Sequence, residues 1–313
     1  MARLVFMGTP QFAVPALKGL LEAGHEVLAV VTQPDRPSGR GQKLVACPVK
    51  LQALESGIEI LQPERLRRDE DTKFRLAGLG ADAFIVVAYG QILPAEVLAM
   101  PRKGCLNIHG SLLPRHRGAA PVARAILAGD EVTGVSLMRL DEGMDTGPVV
   151  AEARTSIGRG ETAGELATRL SRLGAELLVR ELGPWLEGLR PEAAQDEASA
   201  TLAPKLEKAE GWLDWHLPAD ILERRVRGVS PWPGARTRIG ADEVKIHAVS
   251  VGPEVPPGTE PGVVLAMGPS GWQVACGEGS LMLEEVQWPG RKSMAAVDAA
   301  RGFPELVPGT RLE

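Results

Sequence analysis

Cysteine, tyrosine and long apolar runs are what this 313-residue chain has least of. Its three cysteines, Cys47, Cys105 and Cys276, stand far apart and form no CxxC pair. That spacing argues against a disulfide framework and against a structural zinc site. No apolar run reaches membrane-spanning length, and the first residues pass straight into a strand-like stretch without a basic, cleavable leader. A cytoplasmic protein with no membrane partner is expected. Aromatic residues make up 4% of the chain, and Tyr89 is the only tyrosine. A GxGxxG fingerprint is also missing: the turn after the first apolar stretch is Gly8-Thr9-Pro10, which disfavours a dinucleotide site. The net charge of −5 argues against a general nucleic-acid coat protein but leaves room for a local basic patch.

What is present is the make-up of a globular protein, 44% hydrophobic and 24% charged, long enough for two domains. Leu4–Met7 and Val27–Val31 read as buried strands, with a helical pattern (Phe12, Val14, Leu17, Leu20, Leu21) between them that stops at Gly24. Ala83–Ala88 is the most apolar strand and is expected at the centre of the sheet. Such alternation predicts βαβ units around a mostly parallel sheet, a Rossmann-like α/β domain over residues 1–189. Strands at 132–140 and 149–157 flank a loop, and Leu166, Leu170, Leu173 and Leu177 mark one face of a long helix. Residues 190–207 are polar and read as a linker. Beyond them, over 208–313, short strands (243–249, 262–266, 272–276, 281–286) alternate with Gly and Pro in the pattern of a small, OB-like β-barrel. Five of the six tryptophans fall in this second region, and most of them are expected to fill its core.

Candidate chemistry concentrates in Cys105–Pro114 and Asp141–Pro148. In the first stretch Leu106 and Ile108 alternate with Asn107 and His109, so the two polar side chains share one face of a strand. The end of a parallel strand is where open α/β sheets place their ligands. In the second, a glycine-punctuated loop carries three carboxylates, one of which could orient the imidazole. An amide to steady an oxyanion, a His to move protons and an Asp to hold the His make an acyl-transfer set: Asn107, His109 and Asp145. No serine or cysteine nucleophile is needed if the acceptor brings its own amine. Each residue also has an ordinary structural reading, as a satisfied strand His, a turn Asn or a solvated loop Asp. The loop lacks the remaining ligands of a calcium site, so no metal is expected.

Six segments in order, Phe6–Pro10, Thr32–Pro37, Val87–Gly90, Asn107–Pro114, Arg117–Pro121 and Asp145–Gly147, resemble the formyltransferase superfamily that uses 10-formyltetrahydrofolate, and within it the members acting on methionyl-tRNA. The resemblance implies formyl transfer from that folate to the α-amino group of methionine on initiator tRNA, with Asn107, a protonated His109 and Asp145 as the catalytic set. It also implies a folate pocket lined by Ser111, Leu112, Leu113 and Pro114, whose backbone groups would read the pterin. A monomer is expected.

Two basic regions bear on the acceptor. Gln33–Gly41 has no periodicity and reads as an exposed loop, and the stretch from Thr32 to Leu54 has Asp35 as its only acid. Its family counterpart contacts the tRNA acceptor arm, which assigns Arg36, Arg40 and Lys43 to that contact, Arg40 foremost. The resemblance extends the tRNA surface to Arg224, Arg225 and Arg227. Three other readings stay open: a sugar-nucleotide or other small-metabolite N-formyltransferase, which has no use for the basic loop; a folate hydrolase with water as acceptor; and a non-catalytic RNA-binding protein.

Overall fold

A computed structural model describes residues 1–38, 43–256, 258–303 and 306–313. The chain divides into two compact units: residues 1–121, 132–156 and 167–203 form the first, and residues 122–131, 157–166 and 204–313 the second.

Among the described residues the first unit contains nine strands in chain order: β1 Arg3–Gly8, β2 Glu26–Val31, β3 Arg36–Ser38, β4 Lys43–Val45, β5 Ile60–Leu61, β6 Ala83–Val87, β7 Cys105–His109, β8 Val132–Arg139 and β9 Val149–Ser156. Seven form one sheet in the order β5-β2-β1-β6-β7-β8-β9, parallel from β5 to β7 and antiparallel from β7 to β9. β6 is central, as its unbroken apolar sequence predicts, and all five of its residues are buried. The remaining two strands correct the expected irregular loop: β3 and β4 pair antiparallel, with Pro37 opposite Leu44. A two-stranded ribbon this short has no periodic signal to read in sequence.

Helices α1 Val14–Glu22, α2 Pro48–Glu55, α3 Glu70–Gly78, α4 Ala95–Leu98, α5 Pro121–Ala128 and α6 Ala163–Leu186 follow in chain order. One sheet face is an apolar cluster of Val5, Met7, Ala29, Val31, Phe84, Val86 and Cys105, with Leu76 of α3 and Val97 of α4 among its partners. β7 alternates, so Asn107 and His109 continue the row that Cys105 begins, and polar groups appear where the apolar row runs out. On the opposite face Ile108 meets α6 at Gly174, where a Cβ would lie 2.7 Å from Ile108 Cγ2. The glycine is what lets the helix lie this close.

A second glycine sets the floor of the site. A Cβ at Gly134 in β8 would fall 2.2 Å from the Ala153 carbonyl oxygen and 2.6 Å from Leu112 Cδ2. Gly134→Val should therefore lower stability by about 1–3 kcal/mol or more through overpacking, and displace Leu112. Thermal unfolding checks the first effect. Unchanged stability would mean the strand pair opens freely here.

The second unit holds α7 Ala219–Gly228, then β10 Ala235–Ile239, β11 Asp242–Val251, β12 Val264–Gly268, β13 Gly271–Ala275, β14 Ser280–Gln287 and β15 Met294–Ala295, then α8 Ala296–Gly302. Its sheet is antiparallel in the order β10-β11-β14-β13-β12, with β15 beside β14. Residues 309–313 bond to Ile239 at the end of β10 and to the 262–264 segment entering β12, which ties the two sheet edges together. Trp215, Trp272 and Trp288 are buried in its core, as expected, and Trp288 stacks on Phe303 with centroids 4.0 Å apart. Trp232 is exposed.

Candidate active site

Asn107 and His109 are both nearly enclosed, with 9% and 5% of their surface exposed. Their situations differ. The Asn107 amide has no hydrogen-bond partner among the described residues, and a buried amide is ordinarily paired. It stands ready for a group the protein does not itself supply. His109 is held at both nitrogens: Nε2 lies 2.9 Å from the His116 carbonyl oxygen, and Nδ1 lies 3.5 Å from Asp145 Oδ2. A carbonyl oxygen can only accept, so Nε2 carries the proton. Nδ1 then holds the lone pair of the neutral ring and faces the carboxylate.

Asp145 arrives from the loop between β8 and β9. That loop leaves beside the start of β7, where the Leu140 N–H donates to the Cys105 carbonyl. It folds back through Asp145, whose φ is 54°, a left-handed conformation seldom adopted outside glycine. Asp145 Oδ2 accepts the Gly118 N–H at 2.8 Å, while Oδ1 has no partner among the described residues. Asp141, the first carboxylate of the loop, accepts from Gly143 N–H and the Thr146 hydroxyl and so shapes the turn. The structure thus selects Asp145 from the three candidate acids.

Burial dominates the titration of His109 and pushes its pKa below the ordinary histidine value; Asp145 pulls the other way but does not prevail. In the protein alone this favours the neutral ring over the protonated His109 that the resemblance implied. The resting ring is neutral, because strand and loop remove it almost wholly from water, and its one N–H is committed to His116.

The Ser111–Pro114 turn departs from expectation in a related way. Ser111 is fully buried and its hydroxyl donates to the Arg115 carbonyl at 2.6 Å. The Ser136 hydroxyl of β8 donates to the Ser111 carbonyl and accepts from the Leu113 N–H. The Leu112 carbonyl accepts from Arg115 N–H, and the Pro114 carbonyl from Thr201 N–H. The backbone groups expected to read a ligand are thus largely spent on the turn itself. Leu113 is buried as well, so Leu112 and Pro114, both half-exposed, provide the accessible apolar surface.

A shell of residues outside the catalytic set holds the site. His116 has φ 59°, and its N–H donates to Thr201 Oγ1 at 2.9 Å. Arg117, only 5% exposed, pairs with Glu197 and Gln195. The segment read as a linker is therefore fastened to the first unit: Ala193 bridges Val149, and Leu202 bridges Arg117. The one sequence signal here was Arg117–Pro121 as part of the family resemblance. Tyr89 packs in the apolar cluster as a wall residue, as expected.

The basic residues fare unevenly. Arg36 is exposed on β3, with Nη2 3.3 Å from Gln33 Oε1. Arg40 lies outside the described residues, and Lys43 is described only in its backbone on β4. The ribbon's base is clamped by Lys50, which reaches Asp35 at 2.6 Å and Gln62 at 2.7 Å. On α7 each of the three arginines has a partner: Arg224 pairs with Asp220, Arg227 with Glu223, each one turn away, and Arg225 donates to the Glu210 carbonyl. The Arg236 and Arg238 guanidinium groups each lie over the Trp212 ring, 5.2 Å from its centroid.

A mostly parallel sheet with Asn, His and Asp gathered at its edge, followed by an antiparallel β unit, is the architecture of the formyl transferases. Two models of that family match, one for the formyl transferase domain over residues 2–182 and one for the formyl transferase C-terminal domain over residues 205–304. The methionyl-tRNA formyltransferase of Halorhodospira halophila is 49% identical over 98% of both chains. Two solved structures share the fold at lower identity. One is the N-formyltransferase of Helicobacter canadensis, in complex with folinic acid and dTDP-3-aminofucose (TM-score 0.68, 17% identical, 92% of this chain and 100% of that one). The other is HypX of Aquifex aeolicus in complex with tetrahydrofolic acid (TM-score 0.64, 19% identical, 97% of this chain and 47% of that one). The chain belongs to the formyl transferase family, within its methionyl-tRNA formyltransferase branch.

Proposed function

We propose that the protein transfers a formyl group from 10-formyltetrahydrofolate to the α-amino group of methionine on initiator tRNA, with Asn107, His109 and Asp145 carrying the chemistry. The observation that supports this site most directly is the unpartnered, buried Asn107 amide beside the His109–Asp145 pair. The folate, when bound, supplies the formyl group; the Leu112 and Pro114 surface and the free Asn107 amide suit an apolar ligand with a carbonyl to be held. An α-amino group has a pKa near ~8, so part of it is already nucleophilic at neutral pH. Asn107 Nδ2–H donates to the formyl oxygen as charge grows there. The proton leaving the amine passes to the Asp145–His109 pair, where Nδ1 holds the available lone pair and Asp145 stabilises the imidazolium that results, and it is returned to the departing folate nitrogen as the donor's formyl C–N bond breaks and tetrahydrofolate leaves.

Residues 1–189 carry this chemistry in our reading, the segment 190–203 is fastened to them, and 208–313 engage tRNA together with Arg36, Arg40 and Lys43. Because Arg224 and Arg227 are already paired within their helix, the ribbon carries the larger share of that contact. The protein acts as a cytoplasmic monomer. No helix among the described residues is long and apolar enough to cross a membrane.

The test is formyl transfer from 10-formyltetrahydrofolate to Met-tRNA and, in parallel, to an amino-sugar nucleotide. Transfer to Met-tRNA alone is expected, and preference for the sugar would overturn the acceptor. In the same assay Arg40→Ala should raise KM for Met-tRNA about tenfold or more and leave KM for the folate unchanged. A rise in the folate KM instead would move the ribbon into the folate site.

A further inference from the structure

Asp145 is the most constrained residue of the site, and what constrains it lies fifty positions along the chain. The Gln195 amide nitrogen donates to the Asp145 carbonyl at 2.8 Å and to the Gly147 carbonyl at 2.7 Å. Its amide oxygen accepts from Arg117 Nε at 3.0 Å and Nη2 at 2.9 Å. Arg117 is held in turn by both oxygens of Glu197, two residues beyond Gln195. Arg117 also directly precedes Gly118, whose N–H holds Asp145 Oδ2. One side chain thus grips the backbone on both sides of Thr146 and, through Arg117, the strand-end turn that positions the carboxylate.

We propose that Gln195 is a positioning residue for formyl transfer: it keeps the Asp145 loop in the left-handed turn from which the carboxylate reaches His109. The inference rests on the reading that Asp145 and His109 perform the chemistry. The geometry around it admits no easy substitute. A φ of 54° is unfavourable for an aspartate and persists only when its surroundings impose it. The loop's own bonds to Asp141 come from the Gly143 N–H before Asp145 and from the Thr146 hydroxyl after it, and neither holds the Asp145 or Gly147 carbonyl. Gly147 is pressed against the Arg139 carbonyl, where a Cβ would fall 1.9 Å away, so the exit must stay closed against β8. Gln195 is the side chain that secures that exit and the Asp145 carbonyl together. It requires an amide specifically: one end must donate twice to carbonyls while the other accepts from a guanidinium.

That requirement separates positioning from mere packing. Gln195→Glu keeps the length, the volume and the Arg117 contact, which becomes charge-assisted, but it removes both donors and sets a carboxylate against two carbonyl oxygens. Gln195→Ala removes everything. The experiment measures kcat and the KM values for 10-formyltetrahydrofolate and for Met-tRNA in both variants, with Asp145→Ala alongside and thermal unfolding of each. The expected result is a fall in kcat of about tenfold or more in both Gln195 variants, with each KM within about twofold of the parent value and the variants folded at assay temperature. A fully active Gln195→Glu beside a weakened Gln195→Ala would overturn the inference, because the residue would then act through Arg117 and packing alone. Full activity in both would overturn it also. If instead Asp145→Ala itself retains normal turnover, the catalytic reading fails, and that outcome is distinct from either of the others.

Discussion

Asn107→Ala should lower kcat by about 10²–10³-fold, leave KM for both substrates near its parent value and leave the fold intact. The size follows from what the amide does: removing one preorganised oxyanion donor typically costs about 2.7–4 kcal/mol of transition-state stabilisation. Preservation of the fold follows from what the amide does not do. It has no hydrogen-bond partner among the described residues, so its removal orphans no protein group and leaves a small gap at the end of β7. A partnered buried asparagine would lose stability and activity together, and the two effects would be inseparable. Asn107→Asp sharpens the case, since it conserves shape and presents negative charge to the oxygen that must gain it. It should be no more active than Asn107→Ala. Steady-state kinetics with a thermal melt for each variant decides the matter. A folded Asn107→Ala with turnover within a few-fold of the parent would mean that the oxyanion is stabilised by other donors.

The elements that could be read from sequence are those whose signal is local. β6 is an unbroken apolar run and β7 a strict alternation, so both were placed, and the alternation alone put Asn107 and His109 on one face. β10 was not anticipated, because its charged alternate residues, Arg236 and Arg238, resemble a surface patch until Trp212 is found against both of them. The antiparallel pairing of β8 with β7 is made by the long connection 110–131 between them, a reversal that no residue pattern encodes. The site divides along the same line. Asn107, His109 and Asp145 lie in stretches that stand out by composition and resemblance. Gln195 and Thr201 lie in polar chain without periodicity, and they meet the site across 50 and 85 positions. The charge state of His109 is likewise a tertiary property: it depends on the burial of the ring and on a carbonyl seven residues away.

That charge state sets the second large expectation. His109→Ala should reduce kcat by about 10²–10⁴-fold, the range for a positioned acid–base group. His109→Asn, which fills more of the site, should do no better, since an amide cannot take up the proton. The parent enzyme's pH profile carries the more specific signature. Burial lowers the His109 pKa below the model histidine value of 6.5, so the ring stays neutral and able to accept a proton below the pH at which a free imidazole becomes charged. The acid limb of kcat should therefore lie under 6.5, whereas a catalyst that needed imidazolium would lose activity as pH rose through that region. Asp145→Asn removes the one carboxylate that favours the charged ring, so whatever activity remains should have its acid limb displaced to still lower pH. Stability follows the same sign. In the window between the lowered pKa and 6.5 the unfolded chain binds a proton at this histidine that the folded chain refuses, so stability rises with pH there. The contribution is complete above about 6.5 and is lost as pH falls through the window. In His109→Asn this part of the pH dependence should vanish, leaving a flatter stability curve between the two values. Melting temperature against pH for parent and variant measures it. Activity that falls as pH rises through 6.5, together with parallel stability curves, would mean that His109 works as the imidazolium.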